Sequence, residues 1–193
     1  MNELISWDYK LLYYINELCA NPFFDYLLPL WRDKYFWAPV YLFLLSFIAI
    51  NYPRKQVWWL MLGLLATVIL SDQISASVIK PLADRLRPCR NPDLLEYIRV
   101  LVPCGSGKSF VSSHATNHFA FSTFIAVIWG RLAWFITPLA MFWAFTVCFA
   151  QVYVGVHFPL DVICGGILGL IIGFVVAKAV LFAVSKYAST TYM

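Results

Sequence analysis

Long apolar runs separated by short polar stretches dominate the chain from residue 37 onwards. Five runs can be delimited, at residues 37–50, 57–78, 115–129, 134–149 and 160–184. A helix that crosses a bilayer needs about 20 apolar residues, a length that the second and fifth runs exceed. The other three reach it only with interfacial aromatic residues such as Trp37, Trp129 and Trp134. The pattern predicts an all-α, polytopic membrane bundle of about five transmembrane helices.

Residues 1–35 follow a different pattern, in which no apolar run is long enough to span a membrane. Trp7 and Leu11 alternate with polar positions, and Asn16, Glu17 and Asp25 interrupt the segment. Such alternation is typical of an amphipathic helix that lies in the membrane interface. We therefore expect an interfacial N-terminal segment in front of the spanning helices.

The composition supports a membrane protein. Of the 193 residues, 62% are hydrophobic and 12% are charged, whereas soluble domains carry about 25% charged residues. A chain of this size has too little interior to bury so much apolar surface, so the bilayer must solvate much of it. No stretch has the composition of a linker, so we expect one membrane domain over residues 1–193. The oligomeric state stays open.

The charge balance bears on the partners. A formal net charge of +4 suits anionic lipid headgroups. A nucleic-acid-binding protein would show a long basic stripe, and no such stripe occurs in the sequence. The expected partners are therefore the lipid bilayer and a membrane lipid, without nucleic acid.

The fifth run contains a series of glycines, Gly165, Gly166, Gly169 and Gly173. Glycines four residues apart lie on one face of a helix and let two backbones approach closely. The series predicts a packing seam against another helix rather than a chemical site.

Counting crossings brings the residues that could carry chemistry to one face. With five spans, the end of the second, the start of the third, the end of the fourth and the start of the fifth lie on the same side. The residues at these places are Lys80, Arg87, His114, His157 and Asp161. Loop Lys and Arg counts alone do not fix the orientation. If some cations of this face serve a phosphate site, the remainder favours this face, with its loop 80–113, outside the cytoplasm.

The first of these places supplies two cations, and the second supplies the start of a helix. Lys80 and Arg87 lie seven residues apart. The compact charge of a lysine ammonium and the two parallel hydrogen bonds of an arginine guanidinium both suit phosphate oxygens. Ser112 and Ser113 can cap the next helix, whose free N–H groups bind anions, and His114 could protonate a leaving oxygen. Taken alone, each feature also fits ordinary structure, as a snorkelling basic cluster or a simple helix cap.

The third place pairs a histidine with a carboxylate. Pro159 suits the first turn of a helix, which puts His157 just before the helix and Asp161 inside it. A carboxylate four residues on can hold the imidazole tautomer and leave the other nitrogen free. Such an imidazole can attack phosphorus and form a phosphohistidine.

Together, in this order and on one face, these residues resemble the type 2 phosphatidic acid phosphatase (PAP2) family, whose motifs read K-x6-RP, PSGH and SR-x5-H-x3-D. The first is intact at 80–88, and the second appears at 111–114 as V-S-S-H. The third keeps His157 and Asp161 but has Ala-Gln at 150–151 in place of Ser-Arg. The resemblance spans roughly residues 20–185 and implies a PAP2/haloperoxidase-like helical core.

The resemblance also implies a role for each matching residue. His157 is the nucleophile, Asp161 orients it, and His114 is the general acid and later the base. The phosphoryl oxygens are held by Lys80, Arg87, Ser112, the amide of Ser113 and, at the altered position, Gln151. Gln151 lacks the charge of the family's arginine, and Arg85, Arg90 or Arg99 from the loop are candidates to replace it. No cofactor is implied, and no metal is expected, because no third ligand accompanies the His114–His118 pair.

The implied activity is hydrolysis of a lipid phosphate at the outer face of a bacterial inner membrane. Undecaprenyl diphosphate, a lipid A phosphate and phosphatidylglycerol phosphate are the candidate substrates. The altered motifs leave a non-catalytic or weakly active binder of lipid phosphates as the alternative, and a transporter fits less well because paired repeats are missing. In the loop, Cys89 and Cys104 could form a disulfide if that face is oxidising.

Overall fold

A computed structural model describes residues 3–188 of the chain, and these residues form helices and loops without a β-strand. The helices are α1 (Glu3–Tyr13), α2 (Pro22–Trp31), α3 (Ala38–Asn51), α4 (Arg54–Gln73), α5 (Lys80–Ala83), α6 (Ser113–Trp129), α7 (Ile136–Tyr153) and α8 (Pro159–Tyr187). A π-helical stretch, Ile74–Ile79, joins α4 and α5 into one continuous rod. The all-α prediction is confirmed.

Three of the predicted spans are supported by length and hydropathy. Among the described residues, the stretches Arg54–Ala83, Ile136–Tyr153 and Pro159–Tyr187 are long and apolar enough to cross a membrane. The helix α3 is apolar but has 14 residues, and α6 has 17. The number of five transmembrane helices therefore stays a prediction.

The helices α6 and α8 pack along the glycine series. A Cβ atom added to Gly165, Gly169 or Gly173 would lie 2.7, 2.3 or 2.2 Å from the backbone oxygens of Ser112, Thr116 and Ala120. These distances are far below van der Waals contact, so only glycine permits this approach of the two backbones. The predicted packing seam is confirmed, and it brings the first turns of α6 and α8 side by side.

The N-terminal segment forms two helices rather than the single interfacial helix expected from its alternation. Its polar side chains point into the protein: Asp8 and Asn16 are fully buried, whereas Trp7 and Tyr14 are exposed. Asn16 pairs with the backbone of Arg99, donating to its carbonyl oxygen at 2.8 Å and accepting from its N–H at 2.7 Å. The segment is therefore docked on the loop that follows α5. Its interfacial location stays a prediction.

The loop between α5 and α6 is crosslinked. Cys89 and Cys104 form a disulfide across 15 residues, with their Cα atoms 6.0 Å apart. Leu101 donates its N–H to the carbonyl oxygen of Val154 at 3.3 Å, which ties the loop to the end of α7. The loop thus covers the ends of α7 and α8, where His157 lies.

Candidate active site

His157 lies in the short connection between α7 and α8, with 1% of its surface exposed. Its backbone N–H donates to the carbonyl oxygen of Gln151 at 3.3 Å. Pro159 begins α8, and Asp161 follows in its first turn, where its Oδ2 accepts the N–H of Phe158 at 2.9 Å. The connection therefore holds both the histidine and the carboxylate through backbone hydrogen bonds.

The two nitrogens of the His157 ring face different groups. Nε2 lies 3.2 Å from Nη1 of Arg87. Nδ1 lies 3.5 Å from Oδ2 of Asp161, which is longer than a well-formed hydrogen bond, and it has no other partner in the described part of the chain. With the proton on Nδ1 towards Asp161, the lone pair of Nε2 points to the side of the cations.

The electrostatic surroundings keep this imidazole neutral. Burial lowers the pKa of His157 from 6.5 to about 4, and the charges of Arg87 and Lys80 act in the same direction, while Asp161 acts against them. At neutral pH the ring is therefore unprotonated, which is the form that can act as a nucleophile.

The two cations of the first motif reach the site from α5 and the loop. Arg87 is fixed by its Nε, which donates to the Gly107 carbonyl oxygen at 2.9 Å, and by Nη1, which donates to the Val156 carbonyl oxygen at 3.3 Å. Lys80 begins α5 and is close enough for its charge to act on His157. Arg87 thus lies at the Nε2 side of the ring, and the charge of Lys80 also acts on it.

The second motif forms the start of α6. Ser112 is the N-cap residue, its Oγ accepts the N–H of Ala115 at 3.4 Å, and its own N–H donates to the Asp161 carbonyl oxygen at 3.0 Å. Oγ of Ser113 accepts a hydrogen bond from Ser75 at 3.0 Å. His114 is half-buried in the first turn, and His157 is near enough to act on its ring electrostatically. The structure therefore gathers the residues of all three motifs around one place.

Comparison with known proteins agrees with this arrangement. A sequence model of the PAP2 superfamily matches residues 56–185, which is more than half of the chain. The chain belongs to the PAP2 superfamily. It is 31% identical over 190 residues to a lipid A 4'-phosphatase of Porphyromonas gingivalis, covering 97% of this chain and 78% of that protein. The resemblance seen in the motifs is thus confirmed, as is the reaction class of a phosphoric ester hydrolase.

Two further comparisons extend the family assignment. An undecaprenyl-diphosphatase of Sulfolobus acidocaldarius is 30% identical, with 86% of this chain and 73% of that protein covered. The crystal structure of Aquifex aeolicus LpxE superimposes with a TM-score of 0.66 at 27% identity, covering 88% of this chain and 93% of that one. The helical PAP2 membrane fold is therefore shared along almost the whole chain.

In this PAP2 phosphatase the carboxylate of Asp161 has partners that sequence reasoning missed. Nη1 of Arg85 donates to its Oδ1 at 2.8 Å, and the hydroxyl of Ser109 donates to its Oδ2. Nη2 of Arg85 also donates to Asp8 of α1 at 2.5 Å, and Asp8 accepts the N–H of Leu160 at 2.9 Å. Arg85 therefore bridges two fully buried carboxylates.

The three loop arginines expected to replace the missing charge of the third motif are engaged elsewhere. Arg85 holds Asp8 and Asp161, as described. Arg99 pairs with Asp25 of α2, and Arg90 is exposed and donates to the Ser106 carbonyl oxygen at 2.9 Å. The guanidinium that contacts the altered position comes from another residue, because Nε of Arg32 donates to Oε1 of Gln151 at 3.2 Å.

Polar residues beneath the site link α4 and α6. Asn117 accepts a hydrogen bond from Ser71 at 2.7 Å and donates to Asp72 at 3.3 Å. Nδ1 of His118 donates to the His114 carbonyl oxygen at 2.9 Å, one turn back along α6, and its ring packs on Trp143 of α7. The hydrogen bonds of Asn117 therefore join α6 to α4. Within residues 3–188, no group of three or more His, Cys, Asp or Glu side chains is arranged to hold a metal ion.

Proposed function

We propose that the protein hydrolyses the phosphate of a membrane lipid through a phosphohistidine formed at Nε2 of His157. The observation that carries the proposal is the ring itself: one nitrogen faces Asp161 and the other faces Arg87. A neutral imidazole whose Nε2 lone pair faces a guanidinium is suited to attack a phosphoryl group that the same guanidinium binds.

The proposed reaction has two steps. In the first, Nε2 bonds to phosphorus, the bond from phosphorus to the lipid oxygen breaks, and His114 gives its proton to that oxygen. In the second, His114 takes a proton from water as the water oxygen attacks phosphorus, and the P–N bond breaks to release inorganic phosphate. The oxygens that gain negative charge during each step are held by Lys80, Arg87, Ser112 and the amide of Ser113.

We propose a lipid A phosphate as the substrate, because the similarity to a lipid A 4'-phosphatase extends over nearly the whole chain. Undecaprenyl diphosphate is the second candidate, supported by the similarity to an undecaprenyl-diphosphatase. Both place the phosphate at the membrane surface, where the ends of α7 and α8 would meet it.

The test is phosphate release from detergent-solubilised lipids. Lipid A 4'-phosphate, undecaprenyl diphosphate and phosphatidylglycerol phosphate are offered separately to the purified protein. We expect the highest kcat/KM with lipid A 4'-phosphate. A higher value with undecaprenyl diphosphate would reverse the substrate assignment. If no lipid releases phosphate, a non-catalytic binder of lipid phosphates becomes the better assignment.

We further propose that the site faces the periplasm of a bacterial inner membrane. The disulfide between Cys89 and Cys104 supports this orientation, because disulfides persist in oxidising compartments. A membrane-impermeant thiol reagent applied to intact spheroplasts should label the protein more strongly after mild reduction. The signal that reduction adds should vanish in the variant carrying Cys89→Ala and Cys104→Ala, which controls for the free thiol of Cys19. Labelling that requires permeabilised membranes would place the site in the cytoplasm.

A further inference from the structure

A guanidinium from outside the three motifs enters the site at the altered position of the third motif. Arg32 follows α2 directly, and its Nε donates to Gln151 at 3.2 Å. Gln151 is fully buried in the last turn of α7, and its carbonyl oxygen accepts the backbone N–H of His157 at 3.3 Å. Gln151 thus contacts Arg32 through its side chain and the nucleophile through its backbone.

The end of α2 is anchored so that Arg32 has a fixed position. The indole N–H of Trp31 donates to Oγ1 of Thr146 on α7 at 2.9 Å. The indole N–H of Trp37 donates in turn to the carbonyl oxygen of Trp31 at 2.7 Å. Thr146 and Gln151 both belong to α7, so two neighbouring residues of the N-terminal segment are bound to one helix.

The charges around Arg32 are those of an anion site. Among residues 3–188, no carboxylate lies within ion-pair distance of its half-buried guanidinium. Burial lowers the pKa of Arg32, and the charge of Arg87 lowers it further, while the carboxylate of Asp33 acts against them. Arg32 and Lys80 also act electrostatically on His114. Cations gathered in a partly buried place repel one another unless an anion joins them.

Gln151 adds a hydrogen-bond donor to the same place. Its Oε1 is occupied by Arg32, while its Nε2 is buried without a partner in the described part of the chain. A buried amide N–H without an acceptor is unfavourable, and a phosphoryl oxygen would satisfy it.

We propose that Arg32 is a third phosphate-binding cation of this site and that Gln151 is the residue that positions it. The charge that the third motif lacks on α7 then comes from the end of α2. The inference rests on the proposed phosphatase function for its substrate, but not for its anion binding. A phosphoryl group in transfer carries its charge on the equatorial oxygens, which is where a third guanidinium would act.

The first test compares Arg32→Ala and Arg32→Lys with Lys34→Ala, which removes an exposed cation two residues away. Two quantities are measured in detergent: kcat with lipid A 4'-phosphate, and the Kd of orthovanadate, a phosphate-like anion. We expect Arg32→Ala to lower kcat about 100-fold or more and to weaken vanadate binding about tenfold or more. Arg32→Lys should lose less, and Lys34→Ala should match the wild type.

The second test addresses the positioning role of Gln151. Gln151→Ala should lower kcat in the wild-type background but add little to Arg32→Ala, because the two residues act as one unit. Gln151→Arg alone should lower kcat, since two guanidinium groups would then compete for one place. In the Arg32→Ala background, Gln151→Arg should restore a large part of the activity. Such rescue shows that the double variant folds. The monodispersity of Arg32→Ala is checked separately, and Arg32→Gln replaces it if that variant is not monodisperse.

The outcomes separate this inference from the proposed function. If the wild type is active and Arg32→Ala and Arg32→Gln keep its kcat and vanadate affinity, the inference is wrong and the phosphatase proposal stands. If the wild type is inactive on every lipid but binds vanadate in an Arg32-dependent way, the phosphatase proposal alone is wrong. If the wild type neither turns over nor binds vanadate, both are wrong.

Discussion

The His157→Ala variant is expected to lose phosphate release by a factor on the order of 10⁴ to 10⁶, the size of nucleophile losses in other covalent enzymes. The loss follows because Nε2 of His157, which faces Arg87, forms the bond to phosphorus in the proposed reaction. The protein should still fold, since Asp161 keeps Arg85, Ser109 and the Phe158 N–H as partners. Initial rates with the preferred lipid, together with the monodispersity of the variant, give the measurement. Residual activity above about one part in a hundred would exclude His157 as the nucleophile.

A second variant separates the nucleophile from the general acid. His114→Ala removes the proton donor, which matters less when the leaving group is a weak base. With p-nitrophenyl phosphate, His114→Ala should therefore form the acid-labile phosphohistidine and hydrolyse it slowly, whereas His157→Ala should form none. Equal amounts of phosphohistidine in the two variants would contradict the assigned roles.

The Arg85→Ala variant is expected to lose stability as well as activity. It would leave the carboxylates of Asp8 and Asp161, both fully buried, without their shared cation, and a broken buried ion pair costs about 3–5 kcal/mol. Burial already raises the pKa of Asp8, and Arg85 opposes that shift, so Asp8 would take up a proton more readily in the variant. We expect Tm in detergent to fall by roughly 10 °C and phosphate release to fall with it.

Two comparisons make this expectation specific to the bridge. Arg90→Ala removes an exposed arginine of the same loop and should leave Tm unchanged. Adding Asp8→Asn to Arg85→Ala removes one of the stranded carboxylates and should recover part of the lost Tm. If Arg85→Ala instead keeps its Tm and loses only activity, Arg85 acts on the phosphate rather than on the two carboxylates.

The motif residues could be predicted from the sequence because charged groups at the ends of membrane helices are costly and therefore stand out. Counting crossings predicted that Lys80, Arg87, His114 and His157 share one face, and the structure places Arg87 beside His157. The glycine series of α8 predicted close packing against another helix, because helix periodicity fixes which residues share a face. Both inferences depend on local pattern along the chain.

The contributions of the N-terminal segment could not be predicted in this way. Arg32 and Gln151 are separated by 119 residues, and Arg85 and Asp8 by 77. Alternating polar residues in residues 1–35 fit a helix with one face in water as well as a helix with its polar face against the protein. The positions of Asn16 and Asp25 could have distinguished these two kinds of helix. Both polar residues lie near aromatic residues, such as Tyr14 and Tyr26, that are exposed in the structure. Hydrophobic exposure with polar burial is expected of a segment whose outer surface meets lipid.

The bridge from Asp8 through Arg85 to Asp161 also has a consequence for biosynthesis. The ribosome makes Asp8 152 residues before its partner Leu160, and Asp161, which Arg85 links to Asp8, also lies in α8. A nascent chain that has inserted every helix but α8 holds neither His157 in its final setting nor the carboxylate that orients it. Catalytic competence should therefore arise in a single late event, and insertion intermediates should leave membrane lipids untouched.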